Sequence, residues 1–327
     1  MQLSNKVAAA CLGVLILSPP VATADTSIYL PDPQFAPEGI AVSSDGSLFI
    51  GSLTQGRMVR ISPQTKSVTE FAPAGENGMV SVLGVHISTD DKLVFACSSD
   101  PGSSALTGTA APALVSFDLE TGASAGRYEL PEGGALCNDI TELPDGTILA
   151  TDSFVPRIYA LRPGANRLEI WLEDEHLSGE GFNFNGIAYD DGAVFILRYN
   201  AGTMHRIPVL KNKTAGDAVA VALPKPIKAA DGLKALGDGR FLVVEGGGLA
   251  KGARGALLGV TVDNTNRATV ETLAGDLNVP TTVDTHGDAA YVVEGQLDHL
   301  FDPTAGPADP YRLIRIDLPD AFQGNGS

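Results

Sequence analysis

Short apolar runs alternate with polar turns along nearly the whole chain, and they fall into a phrase that recurs about every 45 to 55 residues. Each phrase has a head residue, usually followed by Gly, then an apolar run that leads to a tight turn. Glu38-Gly39-Ile40-Ala41-Val42 leads to Asp45-Gly46, Asn138-Asp139-Ile140 to Asp145-Gly146, Asn185-Gly186-Ile187 to Asp191-Gly192, and Asp231-Gly232-Leu233 to Asp238-Gly239. Two further copies keep the pattern without a carboxylate or amide at the head: Leu83-Gly84-Val85 before Asp90-Asp91, and Thr281-Thr282-Val283 before Asp288.

In the first copy the pattern predicts strands over 40–42, 48–51, 58–61 and 68–71, with Asp45-Gly46 as a hairpin turn. No long segment carries a helical period, and the apolar runs suit strands buried between neighbouring sheets. A fixed period of this size overrides the two-domain expectation for a chain of this length and predicts one closed array. The last copy offers strands near Val283, at 291–293 and at 311–316, then runs into a polar tail, so its fourth strand is missing. Ser27-Ile28-Tyr29-Leu30, ahead of the first copy, is a strand without a partner and with open edges. Pairing it with 312–316 closes the ring, and the expected fold is an all-β six-bladed β-propeller sealed in its last blade by the N-terminal strand.

In such a blade the first strand lies innermost, so the heads and the loops after the second strands share one face. Three of those loops, 98–112, 245–255 and 294–310, are long, and long loops over a rigid scaffold are where binding function concentrates.

Residues 1–24 read as an export signal: Lys6, an apolar stretch over 7–17, Pro19-Pro20, and Ala22-Thr23-Ala24 before Asp25. The expected mature domain is 25–327, secreted or periplasmic. The apolar stretch is too short for a spanning helix, and no later segment approaches one. Export removes Cys11 and leaves Cys97 and Cys137, for which an oxidising compartment permits a disulfide; two buried free thiols are the alternative. The chain has 39 acidic against 22 basic residues and a net charge of -17, with no basic cluster, which excludes nucleic acid and anionic membrane as partners.

Glu38, Asn138, Asn185 and Asp231 share one register and should converge on the axis as two carboxylates and two amide carbonyls. These hard oxygen donors suit Ca²⁺, whereas Zn²⁺ would want His or Cys. Asn or Asp before Gly is also ordinary turn chemistry at any single position; agreement across four blades favours the metal. A formally neutral Ca²⁺ site in an acidic protein points to a neutral small-molecule substrate, a lactone, ester or phosphotriester.

On these residues the chain resembles the calcium-dependent six-bladed propellers that include gluconolactonase, regucalcin and luciferin-regenerating enzyme, with diisopropylfluorophosphatase as a relation. The resemblance spans nearly the whole mature chain. The family's Glu of blade one matches Glu38 in Ala36-Pro37-Glu38-Gly39, its Asn residues match Asn138 in Cys137-Asn138-Asp139 and Asn185 in Phe184-Asn185-Gly186, and its Asp matches Asp231 in Ala230-Asp231-Gly232. The resemblance implies a lactonase or arylesterase type of hydrolase in which Ca²⁺ polarises the substrate oxygen, Asp231 is base or nucleophile, and Asn138 and Asn185 hold metal or substrate. The chain departs from the pattern in lacking counterparts of the sugar-binding Arg and Glu, and in carrying Leu83 where the related paraoxonases have a His.

His86 alternates onto another face and reads as a core or inter-blade residue, while His299 is the one His placed to overhang the site, a solvent-exposed loop His being the commoner outcome at such a position. Gly246-Gly247-Gly248 has the composition of a phosphate cradle but no following Gly-Lys-Ser/Thr, and reads as a loop. Ser52 and Ser153 lack triad partners. The alternative to a hydrolase is a non-catalytic propeller with a structural Ca²⁺ that binds a small molecule, sugar or partner protein, because fold does not fix function.

Overall fold

The computed structural model describes residues 27–131 and 134–324; the expected signal segment, with Lys6 and Cys11, lies outside them. Among the described residues, 24 strands form six four-stranded antiparallel sheets arranged as the blades of a propeller. Five blades use four consecutive strands. The sixth combines the last three strands with Ser27–Tyr29, which pairs with the strand Arg312–Asp317 in the register Ser27 to Ile314 and Tyr29 to Arg312. Leu30 extends the pairing by one bond, its N–H donating to Tyr311 O at 2.9 Å. Of the strands of blade one, Met58–Ile61 has the expected bounds, and Pro37–Val42, Leu48–Ser52 and Val68–Ala72 run slightly longer than their apolar cores.

The innermost strands are Pro37–Val42, Ser81–Ile87, Cys137–Glu142, Phe184–Asp190, Ala230–Gly237 and Pro280–His286. In all six the register against the second strand slips at the head residue. The break lies between Pro37 and Ile40, Val82 and Val85, Cys137 and Ile140, Phe184 and Ile187, Ala230 and Leu233, and Pro280 and Val283. A bulge of this kind frees residues from the ladder and re-aims a side chain. The heads therefore leave the pleat at one level around the axis.

The glycine after the head has a different cause. A Cβ on Gly39 would lie 2.1 Å from Leu83 O, on Gly84 2.4 Å from Asn138 O, and on Gly186 2.3 Å from Asp231 O. Each contact is with the backbone of the next inner strand, so these glycines set how closely neighbouring blades approach the axis. Gly39→Ala should cost about 3 kcal/mol or more, since neither backbone can yield without moving a blade. Gly275→Ala, where a Cβ meets nothing within 4 Å, should stay within about 0.5 kcal/mol. Chemical denaturation of both variants checks the contrast; equal costs would refute the close-approach account.

Between the blades the core is packed with large side chains such as Phe35, Phe49, Phe117, Phe184, Phe241 and Tyr159, all fully buried. Cys97, on the second strand of blade two, and Cys137, on the first of blade three, form a disulfide with Cα atoms 5.1 Å apart. No described helix is long and apolar enough to cross a membrane.

Candidate metal centre

Glu38, Asn138, Asn185 and Asp231 converge, as their register predicts, on the floor of one chamber at the top of the axis. All four are buried. Glu38 Oε2, Asn185 Oδ1 and Asp231 Oδ1 have no hydrogen-bond partner. Buried acceptors are nearly always satisfied, and three oxygens without a protein partner at one level of one tunnel fit a bound positive group. The backbones that carry them are fixed: Thr281 Oγ1 and Thr282 Oγ1 donate to Glu38 O at 2.7 and 2.5 Å, and Thr151 Oγ1 donates to Asn185 O at 2.9 Å. Asn185 also hydrogen-bonds the Asp231 side chain. Thr281 and Thr282, from the copy without a carboxylate or amide head, thus support the head of blade one.

The electrostatics agree. Burial pushes the Glu38 carboxyl well above the usual range, with the charges of Asp231 and Asp139 adding to the shift. Burial likewise raises Asp231 well above its ordinary value, assisted by Asp139 and opposed by the Asn185 bond. Two ionised carboxylates here would repel each other and have lost their water. A divalent cation removes both costs, and four oxygens with room for water or substrate fit Ca²⁺. Among the described residues no three His, Cys, Asp or Glu side chains are grouped to hold a metal; the ring reaches four oxygen donors only by enlisting two amides.

Asp139 is a residue that sequence reasoning did not single out. It occupies the position that Gly holds in most other copies, and its carboxylate accepts Ile140 N–H at 2.9 Å and Ile187 N–H at 3.1 Å. Burial raises it to about 7 despite those bonds and the nearby Lys234. Below it, Lys234 Nζ lies 2.5 Å from Asp284 Oδ1, and Asp284 Oδ2 accepts Val42 N–H at 2.8 Å. Lys234 supplies the lower tunnel with its own cation. The broken repeat pattern, Asp for Gly, was the available signal for Asp139. His86 takes the inter-blade role, its Nε2 3.5 Å from Glu142 Oε2 on the next inner strand.

These shifts set a pH dependence. A carboxyl whose folded value is raised charges the folded state a burial penalty that starts as pH exceeds its unfolded value, about 4, and is complete above its folded value, near 7 for Asp139. Without a divalent cation, stability should therefore fall from about pH 5 to pH 8. Ca²⁺ bound by the ring would hold its carboxylates ionised and oppose that loss, so the melting-temperature gap between Ca²⁺-loaded and chelated protein should widen as pH rises. At a hundredfold excess over Kd the stabilisation should reach about 2.7 kcal/mol. Calorimetric melts across that range read the gap; one that is constant or narrows towards pH 8 would contradict the assignment.

Above the floor the chamber, about 440 Å³ including its open mouth, draws walls from all three long loops: Pro101, Leu249, and Leu297 with Phe301. Tyr199 joins them, its phenol pushed up by burial and by the charges of Asp231 and Glu38, so it stays protonated. His299 does not overhang the site. The short helix Asp298–Phe301 presents Leu297 and Phe301 to the chamber and directs His299 Nδ1 to Gly306 O at 2.9 Å. Ser153 Oγ donates to Phe184 O at 2.6 Å and Ser52 Oγ to Phe35 O, bonds that pin entry segments. Gly246 and Gly247 direct their N–H groups to Ala229 O and Lys228 O, leaving no phosphate cradle.

No protein-family model matches the sequence, and no curated protein matches it. Solved structures do match the fold. The luciferin-regenerating enzyme is 12% identical, covers 92% of this chain and 97% of its own, with a TM-score of 0.66. A calcium-binding protein, regucalcin, from Agrobacterium tumefaciens str. C58 is 16% identical over 91% and 96%, with a TM-score of 0.64. A gluconolactonase from Xanthomonas campestris is 14% identical over 90% and 87%, with a TM-score of 0.60. At such identities the likeness shows the propeller fold alone.

Proposed function

We propose that this protein is an exported calcium-dependent hydrolase of neutral lactones or esters, with Glu38, Asn138, Asn185 and Asp231 as the residues that hold Ca²⁺. The observation that carries this reading is the set of unpartnered oxygens of Glu38, Asn185 and Asp231 at the base of an apolar-walled chamber. The likeness in fold to a gluconolactonase and to a calcium-binding regucalcin supports it, as do the sequence matches of the four ring residues to that family's pattern. The Cys97–Cys137 disulfide suits an oxidising compartment, in line with the proposed export.

When bound, the metal supplies Lewis-acid polarisation of a carbonyl or phosphoryl oxygen. The chain's own residues do the rest. Asp231 has one oxygen engaged by Asn185 and the other free of partners, so Oδ1 is available to take a proton from water or to attack the acyl carbon. Asn138 and Asn185 contribute amide groups that orient the reacting end without adding charge. Tyr199, held protonated beside Asp231, acts as a donor rather than a base. The apolar walls keep bulk water from the floor, which strengthens every charge interaction there. With Glu38 and Asp231 balanced by Ca²⁺ and Asp139 and Asp284 facing a single Lys234, an anionic substrate has no cradle.

The test is a hydrolysis screen of lactones, aryl esters and phosphotriesters on Ca²⁺-loaded and chelated protein, with calorimetry of Ca²⁺ binding. One site, weakened at least about tenfold by Glu38→Gln, and turnover abolished by chelation are expected. Calcium binding without turnover of any substrate would leave a binding propeller, and tight binding unaffected by Glu38→Gln would remove the metal site itself.

A further inference from the structure

The walls of the chamber are of one chemical kind. Leu53, Leu136, Phe182, Leu249, Leu297 and Phe301 surround it, and no Lys, Arg or His is among the residues that line it; its polar groups are the four ring residues and Tyr199. Polarity is thus confined to the floor and the Tyr199 hydroxyl.

The walls are also held rigidly. Phe182 stacks on Phe154 with centroids 5.3 Å apart and meets Tyr199 edge-on at 5.8 Å. The loops of blades five and six are tied to each other: Lys251 N–H donates to Asp302 Oδ2 at 2.9 Å and Gly252 N–H to Asp298 Oδ2 at 3.0 Å. Those bonds fix Leu249 of one loop relative to Leu297 and Phe301 of the other. Phe154 and Phe301 are partly exposed, with relative exposures of 47% and 36%, and continue the apolar surface to the mouth.

We propose that the chamber receives the apolar arm, aryl or medium-chain alkyl, of a neutral lactone or ester, and selects against polyhydroxylated rings. The assignment rests on the hydrolase reading for what sits on the floor. The apolar arm is the occupant that these walls match: every methylene leaving water for Leu and Phe surface gains, whereas a hydroxyl there loses its water and finds no partner. The chamber opens to solvent at a mouth flanked by Phe301, so an arm can extend outward along apolar surface beyond the reacting ester, and the walls are preorganised, so little ordering cost offsets the burial.

The experiment uses full-length Ca²⁺-loaded protein on δ-lactones with methyl to octyl arms and on glucono-δ-lactone. In parallel, calorimetry measures binding of the corresponding alkyl δ-lactams, which require no turnover. Expected are kcat/KM values and lactam affinities that climb up to about fourfold per methylene until the chamber is full, with gluconolactone disfavoured by about tenfold or more per unmatched hydroxyl. Phe182→Ser should flatten the dependence on arm length, and Phe182→Leu should restore it, a pattern that misfolding does not produce. If lactams bind with the arm-length trend but no lactone is hydrolysed, the apolar-arm assignment stands and the hydrolase reading falls. If lactones are hydrolysed with a flat series, or gluconolactone is preferred, the assignment is overturned and the hydrolase reading stands. If no lactone is turned over and no lactam binds, both fall.

Discussion

Asp231→Asn should lower lactone turnover by about a thousandfold while the protein still takes up Ca²⁺. The substitution keeps the side chain's shape and an oxygen donor to the ring, but it replaces the group able to accept a proton or form an acyl bond. General base or nucleophilic catalysis by a positioned carboxylate contributes roughly 10² to 10⁴ in rate. Removing it without disturbing the floor should appear in kcat more than in KM, because the loss is confined to the transition state. Asp231→Asn also takes one negative charge from a buried site, so the apo variant should melt above apo wild type near pH 8, where the buried carboxylates repel. Single-turnover kinetics with calorimetry of Ca²⁺ binding separates the two effects. Near-wild-type turnover with metal bound would make Asp231 a ligand only. The base would then have to be sought elsewhere, and His299, which turns to Gly306 away from the chamber, is a poor candidate.

A chain that begins at residue 32 should lose about 3 to 6 kcal/mol of stability or aggregate outright. The missing strand buries Ile28 and Leu30, each worth about 1.5 to 3 kcal/mol when taken fully out of water. It also supplies the ladder to Arg312–Asp317, whose removal opens the sixth sheet along a whole strand. At about 2 °C per kcal/mol for a chain of this size, the melting temperature should fall by roughly 10 °C. Size-exclusion chromatography and a thermal melt read both outcomes. A stable monomer with an unchanged melt would mean that the ring does not depend on its terminal seam.

Much of this architecture is legible in order along the chain because its causes are local. Strand length, the Asp-Gly turns and the six-fold phrase all arise within about 50 residues, and each copy repeats the same solution, so six weak signals reinforce one another. The heads were legible for the same reason: Glu38, Asn138, Asn185 and Asp231 occupy the same bulge in different blades, and rotation about the axis brings equal positions together. The orphan strand Ser27–Tyr29 was identifiable by counting strands, since an edge left open on one end demands a partner from the other.

Where the repeat is broken, local reading lost its purchase. Asp139, in place of Gly, joins the buried electrostatics only because Glu38 and Asp231 arrive beside it from blades distant in sequence. Lys234 meets Asp284 across two blades, and neither position in isolation distinguishes a tunnel counter-ion from a solvated charge. The two cysteines could be bridged or free until the inner strand of blade three was set against the second strand of blade two. The chamber walls have no periodicity at all. Leu249, Leu297 and Phe301 lie in loops whose composition carries no pattern, and the orientation of the short helix decided that these side chains, not His299, face the site. The repeating scaffold and the polar floor follow from the order of residues along the chain, because hydrogen-bonded strands and bulges depend on near neighbours. The tertiary structure decided the charge balance beneath that floor and the apolar chamber above it, because both depend on which distant segments share a volume that water has left.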